Sequence, residues 1–346
     1  QNNKNMKKNL TLLLTLLIIS AKATFATVLT VSNSPISGGQ YTNITDAVTA
    51  AATDDTIYIQ GTGVSYGNAT INKRLVVMGA GYNVTGTQFN MSTICGTLTI
   101  DSSTFTGPVS GLQILGLNTD LTFSITLNSV HIARCHGYIN YIRGNNWIIE
   151  NNIISGIYFN TNTISSCIIR NNIINGSISS AYNPTNASGL LLDHNIMTGA
   201  LHYINYAVIT NNVFHFAGIT SSSGNNYNTY NNNICINTTP ETLPFGTNSG
   251  SGNFNNPLPS QVFVTSLTSG MSYPTLLGYD LHLSSSSPGK NSATDGTDVG
   301  IYGGVMSFPN MTGATTLPQM TMLNILNSSL PQGGTLNYEF KARKQN

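Results

Sequence analysis

"WIIENNIISG" spans Trp147–Gly156, "CIIRNNIING" spans Cys167–Gly176 and "LLLDHNIMTG" spans Leu190–Gly199. These near-copies align on their second amide position, and the alignment extends to Asn152, Asn172, Asn195, Asn212 and Asn233, at steps of 20, 23, 17 and 21 residues. The slot after each is apolar: Ile153, Ile173, Ile196, Val213 and Ile234. The slot three before holds Ile149, Ile169, Leu192, Ile209 and Tyr230, and the slot one before holds Asn151, Asn171, His194, Asn211 and Asn232. Self-similarity at such a period marks stacked units that bury a core only against their neighbours. The units are too short for helical hairpins. Their β-branched runs, broken by Asn-Asn and Gly, read as strands and turns. Asn also tolerates the left-handed backbone of a tight bend.

This pattern predicts a parallel β-solenoid in which each copy is one bend of one coil. The ladder residues Asn152, Asn172, Asn195, Asn212 and Asn233 are expected to hydrogen-bond to their copies above and below, as stacked amides do. The apolar slots on both sides of the bend are expected to point inward. A leucine-rich repeat has a similar period, but it needs Leu at fixed offsets and usually a helix per repeat. Leu is a minority at these slots. Looser copies precede the clear ones: "RLVVMGAGYN" (Arg74–Asn83), "TLTIDS" (Thr97–Ser102), "LQILGLN" (Leu112–Asn118) and "HIARCHG" (His131–Gly137). Cys135 falls in the Asn152 slot, 17 residues ahead. The coil is expected to run from about Ile57 to about Ile236.

"YTNITDAVTAAATDDTIYIQGTG" (Tyr41–Gly63), followed by "INKRLVVMGAG" (Ile71–Gly81), resembles the opening of right-handed parallel β-helix proteins of the pectate-lyase-like superfamily, in which a short helix caps the first coil. The residues support such a cap independently, because Ile44, Ala47, Val48 and Ala51 fall at helical spacing. "YDLHLSSSSPGKNSATDGTDVGIYGG" (Tyr279–Gly304) is similar to the closing segment of many secreted bacterial β-helix proteins. The resemblance implies an all-β, right-handed parallel β-helix with an N-terminal cap over residues 27–304. It speaks to fold and not to activity. Residues 305–346 read as a linker and a short β extension, with "TLNYEFKAR" (Thr335–Arg343) alternating as a strand does.

Composition narrows the partners. Of 346 residues only 7% are charged, with a net charge of +1. That excludes a broad electrostatic attraction to nucleic acid or acidic membrane. Residues 1–26 read as a few upstream residues (Gln1–Asn5) and a secretory signal peptide. Met6-Lys7-Lys8 is its basic start, Leu10–Ser20 its apolar run, and Ala21-Lys22-Ala23 or Thr24-Phe25-Ala26 its cleavage site. The run is shorter than the ~18 residues of a membrane span. The expected location is therefore secreted or cell-surface, with no transmembrane span. Cys95, Cys135, Cys167 and Cys235 have irregular spacings that leave all three disulfide pairings open. Buried small residues are the plainer reading, and no metal site is expected.

The resemblance makes polysaccharide lyase or glycoside hydrolase activity an expectation to weigh. Hydrolysis needs two carboxylates flanking one bond, and a calcium-dependent lyase needs several acidic ligands. The chain has 12 Asp and Glu in all. Glu150, Arg170 and Asp193 share one slot on successive coils, ~4.8 Å apart. They form either a surface ion-pair ladder or the candidate catalytic set, with Asp193 and Glu150 as acids or metal ligands and Arg170 balancing substrate charge. "LLDHN" (Leu191–Asn195) resembles the Asp-His signature of pectate lyases, although the repeat register also accounts for it. Candidate ligand contacts are Arg143, His194, Trp147 and Tyr158. Further aromatics crowd nearby, including Tyr138, Tyr141, Phe159, Tyr203, Tyr206, Phe214, Phe216, Tyr227 and Tyr230. Exposed rings can stack on sugars. The expectation is a monomeric, secreted or cell-surface protein without a cofactor, in a non-catalytic glycan-binding or scaffold and adhesin role. The alternative is a polysaccharide lyase or glycoside hydrolase acting on a long extracellular polysaccharide, with calcium if a lyase.

Overall fold

A computed structural model describes residues 26–35, 38–83, 91–103, 108–215, 223–236, 242–268, 278–309, 319–325, 335 and 337–343. The expected signal peptide lies outside the described residues except for Ala26, as does Phe216. No helix among the described residues is long and apolar enough to cross a membrane.

The chain forms a right-handed parallel β-helix. One sheet stacks ten strands, from Val28–Val31 to Thr229–Asn231; a second stacks twelve, running from Ala69–Ile71 to Phe254–Asn255. A two-stranded sheet, Thr185–Asn186 with Ile204–Asn205, lies on the return from the second sheet to the first. The coil therefore reaches beyond Ile236, to Asn255. Helix Ile44–Ala50 caps the first coil, burying Ile44, Ala47 and Val48. Asn43 caps its N-terminus, its side chain accepting from Asp46 N. At the other end Lys73 Nζ donates to the carbonyls of Val48 and Ala51 at 2.7 Å each. A cation is well placed on those orphan carbonyls.

The alternation of the first sheet places Ile149, Ile169, Leu192, Ile209 and Tyr230 inside. The chain then turns through a left-handed residue. Arg134, Asn151, Asn171, His194, Asn211 and Asn232 all have φ between 51° and 58°. The next residue is a rung. Asn152 Nδ2 donates to Asn172 Oδ1 at 2.9 Å, Asn172 to Asn195 at 3.0 Å, Asn195 to Asn212 at 2.9 Å, and Asn212 to Asn233 at 3.1 Å. Asn233 continues to Asn253 at 3.0 Å, a rung beyond those the sequence pattern picked out. Each Oδ1 also accepts from the backbone N–H of the rung before, and each Nδ2 also reaches a strand carbonyl. These amides are buried, and a buried polar group is tolerated only when it is paired.

The apolar slot after the rung corrects an expectation. Ile153, Ile173, Ile196, Val213 and Ile234 do not enter the solenoid core. They belong to a second apolar cluster with Val262, Phe263, Leu283, Val299, Ile301 and Phe308. The inward residues of the second sheet are the next ones, Ile154, Ile174, Met197, Phe214 and Cys235. After the last coil, residues 257–268 and 278–308 fold back as a strap over the outer face of the second sheet. Full burial of an Ile is worth about 1.5–3 kcal/mol, so this covered row makes the strap integral to the fold. The left-handed corner fastens it. Asn171 Nδ2 donates to the carbonyls of Ile301 (2.9 Å) and Gly303 (2.8 Å), Asn211 Nδ2 to Thr294 Oγ1 (2.8 Å), and Asn232 Nδ2 to Ser292 O (2.7 Å). Adjacent amide columns thus staple coil to coil inside and strap to coil outside. Beyond the strap, Gln319–Ile325 and Tyr338–Arg343 pair as an antiparallel hairpin.

Candidate functional site

The strand register sets Glu150 beside Arg170, Arg170 beside Asp193 and Asp193 beside Thr210. The first and third pairs close and the second does not. Arg170 Nε and Nη2 lie 2.8 and 2.7 Å from Glu150 Oε2, and His131 Nε2 lies 3.0 Å from Oε1. Burial pushes the Glu150 carboxyl up, but the bonds from His131 and Arg170 outweigh it and hold the group below the usual carboxylate range. Asp193 turns from Arg170 toward the bend. Its Oδ1 accepts from Thr210 Oγ1 and Asn211 Nδ2, both at 2.8 Å, and lies 3.0 Å from His194 Nδ1. The His194 approach is close but not aligned as a hydrogen bond. Burial raises this carboxyl too, and the same three partners bring it below the usual range. No Arg170–Asp193 ion pair forms among the described residues, so the column is not an alternating ladder. The in-register Thr210 and the neighbouring Asn211 capture Asp193 first.

A general acid must hold its proton near the working pH. Glu150 and Asp193 are both held ionised, and the Glu150 side chain is only 6% exposed. Among the described residues, no three His, Cys, Asp or Glu side chains are placed to hold a metal ion. Cys95, Cys135, Cys167 and Cys235 are buried free thiols. Burial pushes Cys95 and Cys135 up to about 12 and Cys167 to about 11, which removes thiolate chemistry at neutral pH.

The four candidate ligand contacts separate. His194 is buried, and its Nε2 lies 3.3 Å from Thr297 Oγ1 of the strap. Gly303 packs on the same ring, where an added Cβ would stand 2.7 Å from Cδ2. His194 is therefore a strap fastener. Trp147 is interior, its Nε1 donating to Leu127 O at 2.9 Å and its ring edge-on to Phe123 at 4.7 Å. Its ring does not meet solvent. Strand parity carried that signal, since Trp147 lies two residues before the inward Ile149. Arg143 Nη1 donates to Ser124 O at 3.0 Å. With the Asn160 amide turned to present its oxygen, Arg143 Nη2 lies 2.6 Å from it. Like Arg143, Tyr158 remains at the surface, half-buried and edge-to-face with Tyr141 at 5.7 Å.

The return flank carries more. Tyr182, Tyr203, Tyr206 and Tyr227 are exposed there; with the exposed Tyr141 and half-buried Tyr158, which lie in strands His136–Ile142 and Ile153–Phe159 of the second sheet, they occupy five successive coils. Tyr206 and Tyr227 stack in register, with centroids 5.1 Å apart and planes 9° from parallel. Amides line the same flank: Asn186 pairs with Asn205 across the small sheet, and Asn226 N donates to Asn205 Oδ1 at 2.6 Å. Tyr182 and this amide row escaped the sequence reading, because only a few coils repeat them.

No protein-family model and no curated protein matches the sequence. Among solved structures, a pectin methylesterase from Aspergillus niger in deglycosylated form superposes with a TM-score of 0.37 and 15% identity, over 72% of this chain and 93% of that one. The penultimately deglycosylated form of that enzyme, which keeps an N-acetylglucosamine stub, gives 0.36 and 14%, over 75% and 95%. So slight a likeness assigns no activity.

Proposed function

We propose that this chain is a secreted or cell-surface β-helix that binds a glycan without cleaving it. The observation that carries the reading is the contrast between two faces. The charged column has its carboxylates tied up and ionised, while tyrosines stand at the surface on five successive coils, exposed on four of them. Tyrosine pairs an apolar ring with a polar tip, which suits a surface of C–H faces and hydroxyls. A rigid coil presents such contacts pre-ordered, so little entropy is lost on binding. The test is a binding and depolymerisation screen of soluble polysaccharides on the whole chain, with and without calcium, beside Glu150→Gln and Asp193→Asn. Binding without new reducing ends or unsaturated products supports the reading. Cleavage that either variant abolishes overturns it and installs the lyase or hydrolase alternative.

A further inference from the structure

The return flank has a detail that packing does not require. Tyr203, Tyr206 and Tyr227 all have left-handed backbones, with φ of 62°, 65° and 58°. That region suits Gly and Asn, and a bulky residue there is an outlier. The protein supplies its own comparison. The strand register aligns one corner, just before the first sheet, through Gly111, Ser129, Asn146, Ser166, Gly189, Tyr206 and Tyr227. Five coils fill this corner with Gly, Ser or Asn, and two fill it with Tyr. The corner geometry therefore does not demand tyrosine. Unfavourable backbone kept at one place points to use rather than to folding.

The placement suggests what is used. Tyr203 and Tyr206 bracket the short strand Ile204–Asn205. Ile204 enters the core, and Asn205 is buried between the two tyrosines with its Oδ1 accepting from Asn226 N, while the exposed Asn186 and the half-buried Asn226 stand on the coils to either side. Tyr227 extends one rail through its stack on Tyr206. The rails are three residues apart, ~10 Å at strand rise. From Asn171 to Pro240 the only Asp, Glu, Lys or Arg is Asp193, which is held at the opposite corner by Thr210 and Asn211.

We infer that Tyr203, Tyr206 and Tyr227, with the surface amides of Asn186 and Asn226 beside them, form a binding site for a neutral polysaccharide. The inference rests on the glycan-binding reading and gives it a location and a charge class. Rings and phenol hydroxyls bracket the sugar, and the exposed Asn186 and half-buried Asn226 meet its hydroxyls. With no Lys or Arg between Asn171 and Pro240, an acidic glycan meets no permanent cation from these coils.

The experiment is affinity electrophoresis and calorimetry of the full chain with neutral probes (mixed-linkage β-glucan, β-mannan, xylan) and acidic probes (polygalacturonate, alginate). Tyr203→Asn, Tyr227→Asn and the triple Tyr203→Asn/Tyr206→Asn/Tyr227→Asn variants run beside it, each with a urea unfolding curve. Wild-type chain is expected to bind a neutral probe, and the triple variant to lose at least tenfold in affinity. The Tyr203→Asn unfolding midpoint is expected to hold or rise, because Asn suits the corner; a merely structural tyrosine would instead lower it. Neutral-probe binding kept within twofold in the triple variant, or a Tyr203→Asn midpoint that falls, overturns this site while leaving glycan binding standing. Binding to acidic probes alone overturns the charge class. Binding to no probe overturns both this site and the proposed function.

Discussion

Asn195→Ala tests whether the internal amide ladder holds the coils together. The side chain makes four bonds in a dry interior. Its Nδ2 donates to Ile169 O at 2.8 Å and Asn212 Oδ1 at 2.9 Å; its Oδ1 accepts from Asn172 N and Asn172 Nδ2, both at 3.0 Å. Alanine removes all four, but the losses are unequal. Asn172 Nδ2 keeps Ile149 O and Arg170 O, and Asn212 Oδ1 keeps the Asn195 backbone N–H. The Asn172 backbone N–H loses its acceptor. A buried donor left unpaired costs about 1–3 kcal/mol, and the lost bonds add about 1 kcal/mol. The expected loss is therefore about 2–4 kcal/mol. Asn195→Asp should be worse than alanine at neutral pH, because its carboxylate faces two acceptors, Ile169 O and Asn212 Oδ1. Asn226→Ala is the control, since its Oδ1 accepts only from the surface Thr247 Oγ1 at 3.1 Å. It should stay within about 0.5 kcal/mol. Urea unfolding followed by far-UV circular dichroism gives the energies. Hydrogen exchange at the Asn172 amide gives the local readout, because stacked coils can open individually. An Asn195→Ala variant within about 0.5 kcal/mol of wild type, with Asn172 still protected, would refute the ladder as a source of stability.

Two further outcomes follow from buried groups. Cys135 occupies the rung below Asn152, with its backbone N donating to Asn152 Oδ1 at 2.8 Å and its sulfur 3.6 Å from Ile114 O. Cys135→Asn should add a rung, its Nδ2 reaching Ile114 O and Asn152 Oδ1, and raise the unfolding free energy by about 1 kcal/mol; a lower urea midpoint would show that the amide does not fit. His215 is buried under the strap, and burial pushes its imidazole from 6.5 down to about 4, outweighing a hydrogen bond to the Leu267 backbone. A depressed folded value means stability that is present above pH 6.5 and lost as pH falls toward 4, with about 2 kcal/mol gone by pH 5. His215→Phe should flatten the unfolding free energy between pH 7 and pH 5, and an unchanged slope would contradict the assignment. Glu150 and Asp193, held below the usual carboxylate range, lose their contribution at still lower pH, so the two windows separate.

The ladder was legible because each coil repeats the same demand: a small amide beside a left-handed corner, donating up and accepting down. The direction of the neighbouring apolar slot was not. Ile153 and Ile154 are both buried, one under the strap and one in the coil. An apolar letter says that a residue is covered and not by which surface. The strap, residues 257–268 and 278–308, has no repeat to announce that it returns over the second sheet. The charged column was legible as a register and misleading as a set of contacts. Strand pairing sets Asp193 beside Arg170, yet side-chain reach delivered it to Thr210 and Asn211.

The tyrosine flank was harder still, and for a reason that bears on function. A repeat constrains the positions that every coil needs, so those positions explain themselves. At the inner bend, rungs bind rungs, and the corner amides of Asn171, Asn211 and Asn232 bind the strap. The outer face of the second sheet is spent on the strap as well. The return flank has looser demands, as its corner shows by accepting Gly, Ser, Asn and Tyr at one aligned position. Freedom from the repeat allows residues there to be kept for something other than folding, and tyrosine in a left-handed corner is the residue that folding alone would discard. A contact surface in a solenoid should therefore be sought where the letters break the repeat against local backbone preference. In this chain that criterion selects Tyr203, Tyr206 and Tyr227, and passes over Glu150, Arg170 and Asp193, which obey the register and are consumed by it.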